Sequence, residues 1–546
     1  MSKYVIGLDF GTLSGRCLLV DAENGAEIAE AVVDYPHGVM DQCLPNGKKL
    51  PPRYALQHPA DYLEVLRLAI PQVMREGRVA REEIVGVGLD FTACTLIPID
   101  GEGTPLCLKK EYSENEHAYV KLWKHHGAQP YADRINELAA ARREPWLRDY
   151  GGRISCEWAL PKILEILQEA PKVFSDTCRF TEAADWLSLL LTGEETHSAA
   201  FAGYKWLWNR KTGYPSNDFM KALDPRLDGI VGDRISERVV GVEQRAGRLN
   251  ERGAALTGLC VGTPLAIPMI DGHAAMPALN VTEKGEMMLI LGTSSCQMIN
   301  DSEERWVEGI CGFVEGGVIP DTYTYEAGQA GVGDLFHWFV NHGVPASYET
   351  EARERGLGIH TLLREKAQRL RVGESGLLAL DWWNGNRSVL VNSRLTGMIL
   401  GMTLGTKPEE IYRALIEATA YGLKVILDRF EESGLTIQSI CAAGGIAQKD
   451  DMMMQIYADV LNREIRVAGT AQAAARGSAI YASAAAGIYP SLRAAARAMS
   501  QPYRGVFRPK EGNVAVYRTL YEEYKRLHDY FGRENEVMER LGSLRS

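Results

Sequence analysis

The segment YVIGLDFGTLSGR, residues 4–16, imposes a constraint that few folds meet. A short apolar run reaches Asp9, and Gly11, Thr12, Ser14, Gly15 and Arg16 follow almost at once. Glycines and small polar residues punctuate strands, so one reading is a plain hairpin turn. The other is a phosphate cradle, because backbone N–H groups approach an anion closely only where side chains are small, and Thr or Ser hydroxyls add donors. A carboxylate beside such a turn is placed to hold Mg2+ directly or through water. A partial echo stands at 285–301, GEMMLILGTSSCQMIND, where an apolar strand runs into Gly292-Thr293-Ser294-Ser295 and out into a second strand. A third glycine element, Gly444-Gly445, lies in SICAAGGIAQKDDMMMQIYADVLNREIRV (439–467), which reads strand, double glycine, helix, strand. One Gly-rich turn is weak by itself. Three in this order and spacing are much less easily explained as unrelated turns.

The rest of the chain reads as alternating strands and helices. Asn24-Gly25 marks a hairpin within the first three strands. ADYLEVLRLAIPQVMREG after Pro59 has helical spacing, and EIVGVGLDFTACTLIPID returns to strand. Residues 110–180 read as helical and polar, and FTEAADWLSLLLTG as a helix ending at Gly193. TPLAIPMIDGHAAMPALN reads as a buried strand, a turn and a helix. The Ala-rich stretch 471–499 suits a tightly packed helix pair, and the charged end RENEVMERLGSLRS a solvated helix. EIVGVGLDFTACT is the counterpart of 439–467 in the first half. The pattern predicts two related α/β halves, each a mixed sheet flanked by helices, dividing near residue 282. A length of 546 residues agrees with two or more domains.

Composition narrows the function. With 71 acidic against 60 basic residues and a net charge of −11, nothing favours a nucleic-acid backbone or an anionic membrane. The ten cysteines form no CxxC pair, which argues against a zinc ribbon or a thioredoxin-type site. Reduced thiols in a cytoplasmic protein are expected. Asp9 falls where a signal peptide needs its apolar centre, and no apolar stretch is long enough to span a bilayer. His125, His126 and His273 lack metal-ligand spacing and read as packing or turn residues. Met452, Met453 and Met454 read as helix-to-sheet packing. Trp206, Trp208, Trp382 and Trp383 suit sugar stacking or a core role. Asp271, after the apolar run LAIPMI, is either a turn aspartate or a general base for a substrate hydroxyl.

The chain resembles the FGGY family of carbohydrate kinases from about residue 3 to about residue 490. Its C-terminal signature is present as Gly397-x-Ile399-x-Gly401-Met402, then Glu410-Ile411, then Ala414-Leu415-Ile416-Glu417. The resemblance implies two actin-like (ribonuclease H-like) ATPase domains with a cleft between them. It places sugar mainly on residues 1–282 and ATP mainly on residues 283–546. By position it assigns Asp271 as the base and Asp9 as the Mg2+-linked carboxylate. Thr12, Ser14 and Arg16 line the phosphate path, with Gly292 and Thr293 in the second cradle. Gly333 lies beside the nucleotide, and Gly444, Gly445 and Lys449 lie near adenine and ribose.

Within the family, DFTACT (90–95), AGYKWLWN (202–209), YEAGQAGVGDLFHWF (325–339) and DWWNGNRSVLVNSRLTGMILG (381–401) resemble the L-ribulokinase branch. That branch places Ala93, Lys205, Asp271 and Glu326 around a ketopentose, although by residue type alone Lys205 and Glu326 read as surface charges. The implied reaction is ATP- and Mg2+-dependent phosphorylation of L-ribulose on its 5-hydroxyl, in L-arabinose use. Kinases of D-ribulose or xylulose are the nearest alternative. An actin-like chaperone or filament ATPase would need a separate substrate-binding β domain, and a sugar-sensing repressor a basic helix-turn-helix before the first strand. Self-association into a homo-oligomer is left open.

Overall fold

The first glycine turn returns the strand Tyr4–Phe10 as Ser14–Asp21, and a turn through Gly25, at φ +72°, returns that as Glu27–Asp34. The structure, a computed structural model, describes residues 3–544. The helix Pro59–Gly77 then crosses over, and Ile84–Phe91 pairs parallel to Tyr4–Phe10. Pro264–Ala266, Met269–Ile270 and Arg245–Arg248 extend the sheet beyond Ile84–Phe91. The second half repeats the plan. Glu286–Leu291, Ser295–Asp301 and Tyr323–Gln329 form an antiparallel meander, and Ser439–Ala443 pairs parallel to Glu286–Leu291. Gly312–Glu315 borders one edge, and Ile465–Val467 and Gly505–Phe507 the other. The expected correspondence between residues 84–95 and 439–467 is thus one of topology: each supplies the strand parallel to the first of its meander.

Two helices decide which sheet the end of the chain serves. The Ala-rich stretch forms Ala473–Ala485 and Leu492–Met499, and both pack in the core of the first half. The division expected at residue 282 therefore does not describe the cores over 473–499. The fit is close. Gly7 and Gly88 face each other in register on adjacent strands. A Cβ on Gly7 would lie 1.8 Å from the Ala475 carbonyl oxygen, and one on Gly88 2.0 Å from that of Ser478. Paired glycines make a flat patch on which the helix backbone lies flush. On the helix's other side, Gly477 meets the helix Asp271–Ala278, where a Cβ would lie 1.6 Å from the Ala274 oxygen.

The region 110–180 is less helical than its composition suggests. Val120–Lys121 and Arg179–Glu182 join Leu56–Gln57 and Leu96–Ile99 in a four-stranded sheet. The helix Ala159–Glu169 is buried almost throughout, including Lys162 and Glu165. The charged end is docked: Met538 is buried, and Glu539 accepts a hydrogen bond from Asn392 at 2.7 Å. Residues 545 and 546 lie outside the described residues. Among the described residues no helix is long and apolar enough to cross a membrane.

The Gly477 contact gives a prediction of unusual sign. Replacing glycine by alanine inside an exposed helix gains up to about 1 kcal/mol. Gly477→Ala instead forces the two helices apart and is expected to cost about 1–3 kcal/mol, as overpacking does. Denaturant unfolding measures this, and a stabilised variant contradicts the packing.

Candidate active site

Strand register gathers three carboxylates at one sheet end. Asp9 pairs with Asp90 across parallel strands, and Met269 and Ile270 continue beside Asp90 and Phe91. Asp271 follows at once as the first residue of the helix Asp271–Ala278, so it lies neither on a strand nor in a free turn. Asp90 is fully buried, and its Oδ2 accepts from the Ser478 hydroxyl at 2.6 Å. Burial and the Asp9 carboxylate push the Asp90 carboxyl well above the usual carboxylate range. Asp271 accepts the Gly272 N–H at 2.6 Å. Burial first, and Asp9 second, still lift its carboxyl to about 7. Asp9 keeps one clear counter-charge, Arg16 Nη1 at 3.2 Å from its Oδ2.

The two hairpin turns differ in size and anchoring. Gly11 N–H bonds to the Ser14 carbonyl at 3.0 Å in the longer first turn, and Gly292 N–H to that of Ser294 at 3.0 Å in the second. Thr12 is tied down from both ends: its carbonyl accepts from Gln57 at 2.8 Å and its hydroxyl from the Trp123 indole at 3.2 Å. Ser14 opens the returning strand. The second turn carries the start of the helix Gly333–Gly343. Val332 and Asp334 N–H groups reach the Thr293 carbonyl at 2.9 and 3.3 Å, and Gly333 N–H reaches that of Gly292 at 3.0 Å.

Gly444 sits at φ +95°, and a Cβ there would lie 2.4 Å from the Leu291 carbonyl oxygen, so the strand end and the double glycine touch. A Cβ on Gly445 would meet open space, which is what close approach of a ligand needs. Gly292, Thr293, Gly333, Gly444 and Gly445 thus form one patch. Lys449 lies at the end of the short helix Gly445–Lys449, exposed, with its carbonyl taken by Arg364 at 2.7 Å.

The remaining candidates meet across the two halves. Lys205 ends the helix Ala199–Lys205, which leans on the second sheet through the Tyr204 hydroxyl, 2.6 Å from the Thr324 carbonyl oxygen. Its Nζ reaches Glu326 Oε2 at 3.4 Å, and His273 Nε2 reaches the same oxygen at 3.2 Å. Desolvation opposes ionisation of Glu326, but Lys205 and His273 outweigh it and hold the carboxyl well below its usual range. Desolvation likewise opposes the Lys205 charge, and Glu326 outweighs it. Ala93 lies on the partly buried loop after Ile84–Phe91, beside Cys94 at φ +56°.

Several neighbours escaped the sequence reading. His273 is a buried partner of Glu326, stacked edge-on against Tyr204, where a packing or turn role was expected. Its spacing of two from Asp271 was the available signal. The aromatic ring beside Lys205 is Trp158, 5.9 Å from its Nζ. Trp206 and Trp382 are core residues. Asp90 and Ser478 gave no local signal.

Comparison with known proteins covers almost the whole chain. Residues 4–277 match the model of the N-terminal domain of the FGGY family of carbohydrate kinases, and residues 287–486 that of its C-terminal domain. A ribulokinase from Bacillus licheniformis is 50% identical over 539 residues, covering 98% of each chain. One from Halalkalibacterium halodurans is 51% identical over 551 residues, covering 100% of this chain and 98% of the relative. Among solved structures, gluconate kinase from Lactobacillus acidophilus superposes with a TM-score of 0.82 at 17% identity, covering 98% of this chain and 99% of that one.

The raised Asp271 carboxyl predicts a pH-dependent stability. Its folded value, about 7, stands above the ordinary 3.8, so ionisation weakens the folded state progressively between those values. The penalty is absent below the lower value and complete above the higher. Asparagine cannot ionise. Asp271→Asn, compared with the parent in metal-free buffer, is expected to gain more stability at pH 8 than at pH 5, by on the order of 2 kcal/mol. A gain independent of pH contradicts the raised value.

Proposed function

The chain belongs to the FGGY family of carbohydrate kinases and is an ATP-dependent sugar kinase; we propose that it phosphorylates L-ribulose on the 5-hydroxyl, in L-arabinose use. The observation that carries the proposal is the patch where Asp271, with its carboxyl lifted to about 7, adjoins the pair Lys205–Glu326 contributed by opposite halves. The name shared by relatives about 50% identical over their whole length supports the choice of pentulose.

In this reading a polyol is held by fixed donors and acceptors. Lys205 donates to sugar hydroxyls, Glu326 accepts from them, and the backbone around Ala93 closes the pocket. Asp271 takes the proton of the attacking hydroxyl, and a base titrating near neutrality is matched to that task. The hydroxyl attacks the γ-phosphorus in line. Thr12 and Thr293, in turns anchored by Trp123, Gln57 and the start of Gly333–Gly343, offer donors to the phosphates together with Ser14 and Arg16. Gly333, Gly444, Gly445 and Lys449 border the nucleotide. Nucleotide contacts fall mainly on the second half and sugar contacts mainly on the first, with Glu326 reaching across.

The donor set fits Mg2+, since Asp9 and its neighbours offer hard carboxylate oxygens. Asp9 would hold the ion that accompanies ATP, and the ion neutralises phosphate charge when bound. All ten cysteines are free, which suits a reducing cytoplasm.

In a coupled ADP-release assay across pentuloses, pentitols and glycerol, L-ribulose is expected to give the highest kcat/KM. A clear preference for xylulose or glycerol overturns the substrate and leaves the kinase standing. Glu326→Gln and Lys205→Met are each expected to lose about 1.5–3 kcal/mol of transition-state stabilisation toward the pentulose, the scale of a hydrogen bond to a charged group, with KM for ATP unchanged. Unchanged sugar kinetics in both variants would return them to a structural pair.

A further inference from the structure

Lys162 and Glu182, both completely buried, lie outside the contacts described above, yet they grip the backbone beside Ala93 from two sides. Lys162 Nζ donates to the Cys94 carbonyl at 2.6 Å and to that of Leu122 at 2.9 Å. Leu122 precedes Trp123, whose indole N–H holds the Thr12 hydroxyl in the first hairpin turn. Glu182 accepts the Thr95 N–H at 2.8 Å through one oxygen and the Trp206 indole N–H at 2.6 Å through the other. Trp206 directly follows Lys205. Cys94, between the two grips, is held at φ +56°, a conformation that L side chains seldom adopt. The loop keeps that shape only if its surroundings over-determine it.

We propose that Glu182 and Lys162 are positioning residues: Glu182 ties the Ala93 loop to Trp206 beside Lys205, Lys162 ties the same loop to Leu122, and together they set which pentulose the pocket accepts. This rests on the proposed sugar site. The residue types follow from the partners. Glu182 faces two N–H donors, and only a carboxylate offers an acceptor to each; a glutamine would aim its own NH2 at one of them. Lys162 faces three carbonyls, those of Cys94, Leu122 and, at 3.5 Å, Lys121, and an ammonium supplies all three bonds from one atom. A buried polar group is costly unless it is hydrogen-bonded, and here both side chains are spent on backbone and indole groups next to Ala93 and Lys205 and at Leu122. Glu165, also buried, bonds Lys121 and His125 at 2.9 Å and, among the described residues, neither the Ala93 loop nor Lys205, and it serves as the control.

The test is the ratio of kcat/KM for two epimeric pentuloses, taking whichever pentulose the parent prefers as the reference, together with KM for ATP and the unfolding midpoint. Glu182→Gln is expected to raise KM for the preferred pentulose about tenfold or more, the scale of one lost bond to a charged group. It should also shift the epimer ratio and leave KM for ATP unchanged. Lys162→Met should likewise raise KM for the preferred pentulose and shift the epimer ratio, and Glu182→Asp, which keeps two acceptors, should fall between parent and Glu182→Gln. Glu165→Gln should lower the midpoint without moving the ratio. An unchanged ratio in Glu182→Gln, or an equal shift in Glu165→Gln, overturns the proposal. A parent that prefers another sugar overturns the L-ribulose reading alone.

Discussion

Three carboxylates at one sheet end repel one another, and much of the first half is arranged so that this repulsion can persist. The parallel register of Tyr4–Phe10 with Ile84–Phe91 puts Asp9 against Asp90, and Met269–Ile270 delivers Asp271 beside them. Separated in water such groups would ionise independently; crowded and desolvated, Asp90 and Asp271 do not. Asp90 rises well above the usual range, Asp271 rises to about 7, and Arg16 is the single cation bonded to Asp9. Helix Ala473–Ala485 braces the arrangement. It lies flush on Gly7 and Gly88, bonds Asp90 through Ser478, and abuts the helix that Asp271 begins.

The pair Lys205–Glu326, the proposed sugar contact, uses the opposite electrostatic strategy. Glu326 is held ionised by Lys205 and His273, so its oxygens remain acceptors. Beside it the Asp271 carboxyl, lifted to about 7, has a proton affinity in its ionised form that matches the proposed role of base. In the proposed reaction, like groups in unlike surroundings divide binding from chemistry, a common way for one fold to assign different roles to similar residues. Because Glu326 comes from the second sheet and its partners from the first half, the same contacts join the two halves at the site.

Local turn chemistry was legible in the sequence: the residues at Gly11-Thr12 and Gly292-Thr293 state their turns, and Gly193 and Asn24-Gly25 mark their boundaries. Asp271 was legible as a residue at the end of an apolar run, but whether it lay in a turn or began a helix was not. Lys205 and Glu326 carry no local signal, since a charged residue ordinarily reads as surface, and resemblance to a family supplied them. Lys162 and Glu182 escaped for the same reason, because a buried charge is recognised only by partners distant in the chain. Ser478 and Asp90 stand 388 positions apart. The allegiance of Ala473–Ala485 to the first sheet escaped too. Small residues announce close packing, but the matching glycines, Gly7 and Gly88, lie at the other end of the chain.

Single-turnover phosphoryl transfer by Asp271→Asn tests the central claim most directly. Asparagine keeps the size of the side chain and leaves the hairpin turns and the sugar contacts in place. L-ribulose and ATP should therefore both bind, as calorimetry would record, while transfer falls about 10²–10⁴-fold, the usual contribution of a general base. Transfer at the parent rate would contradict the account and return Asp271 to a structural role at the start of its helix.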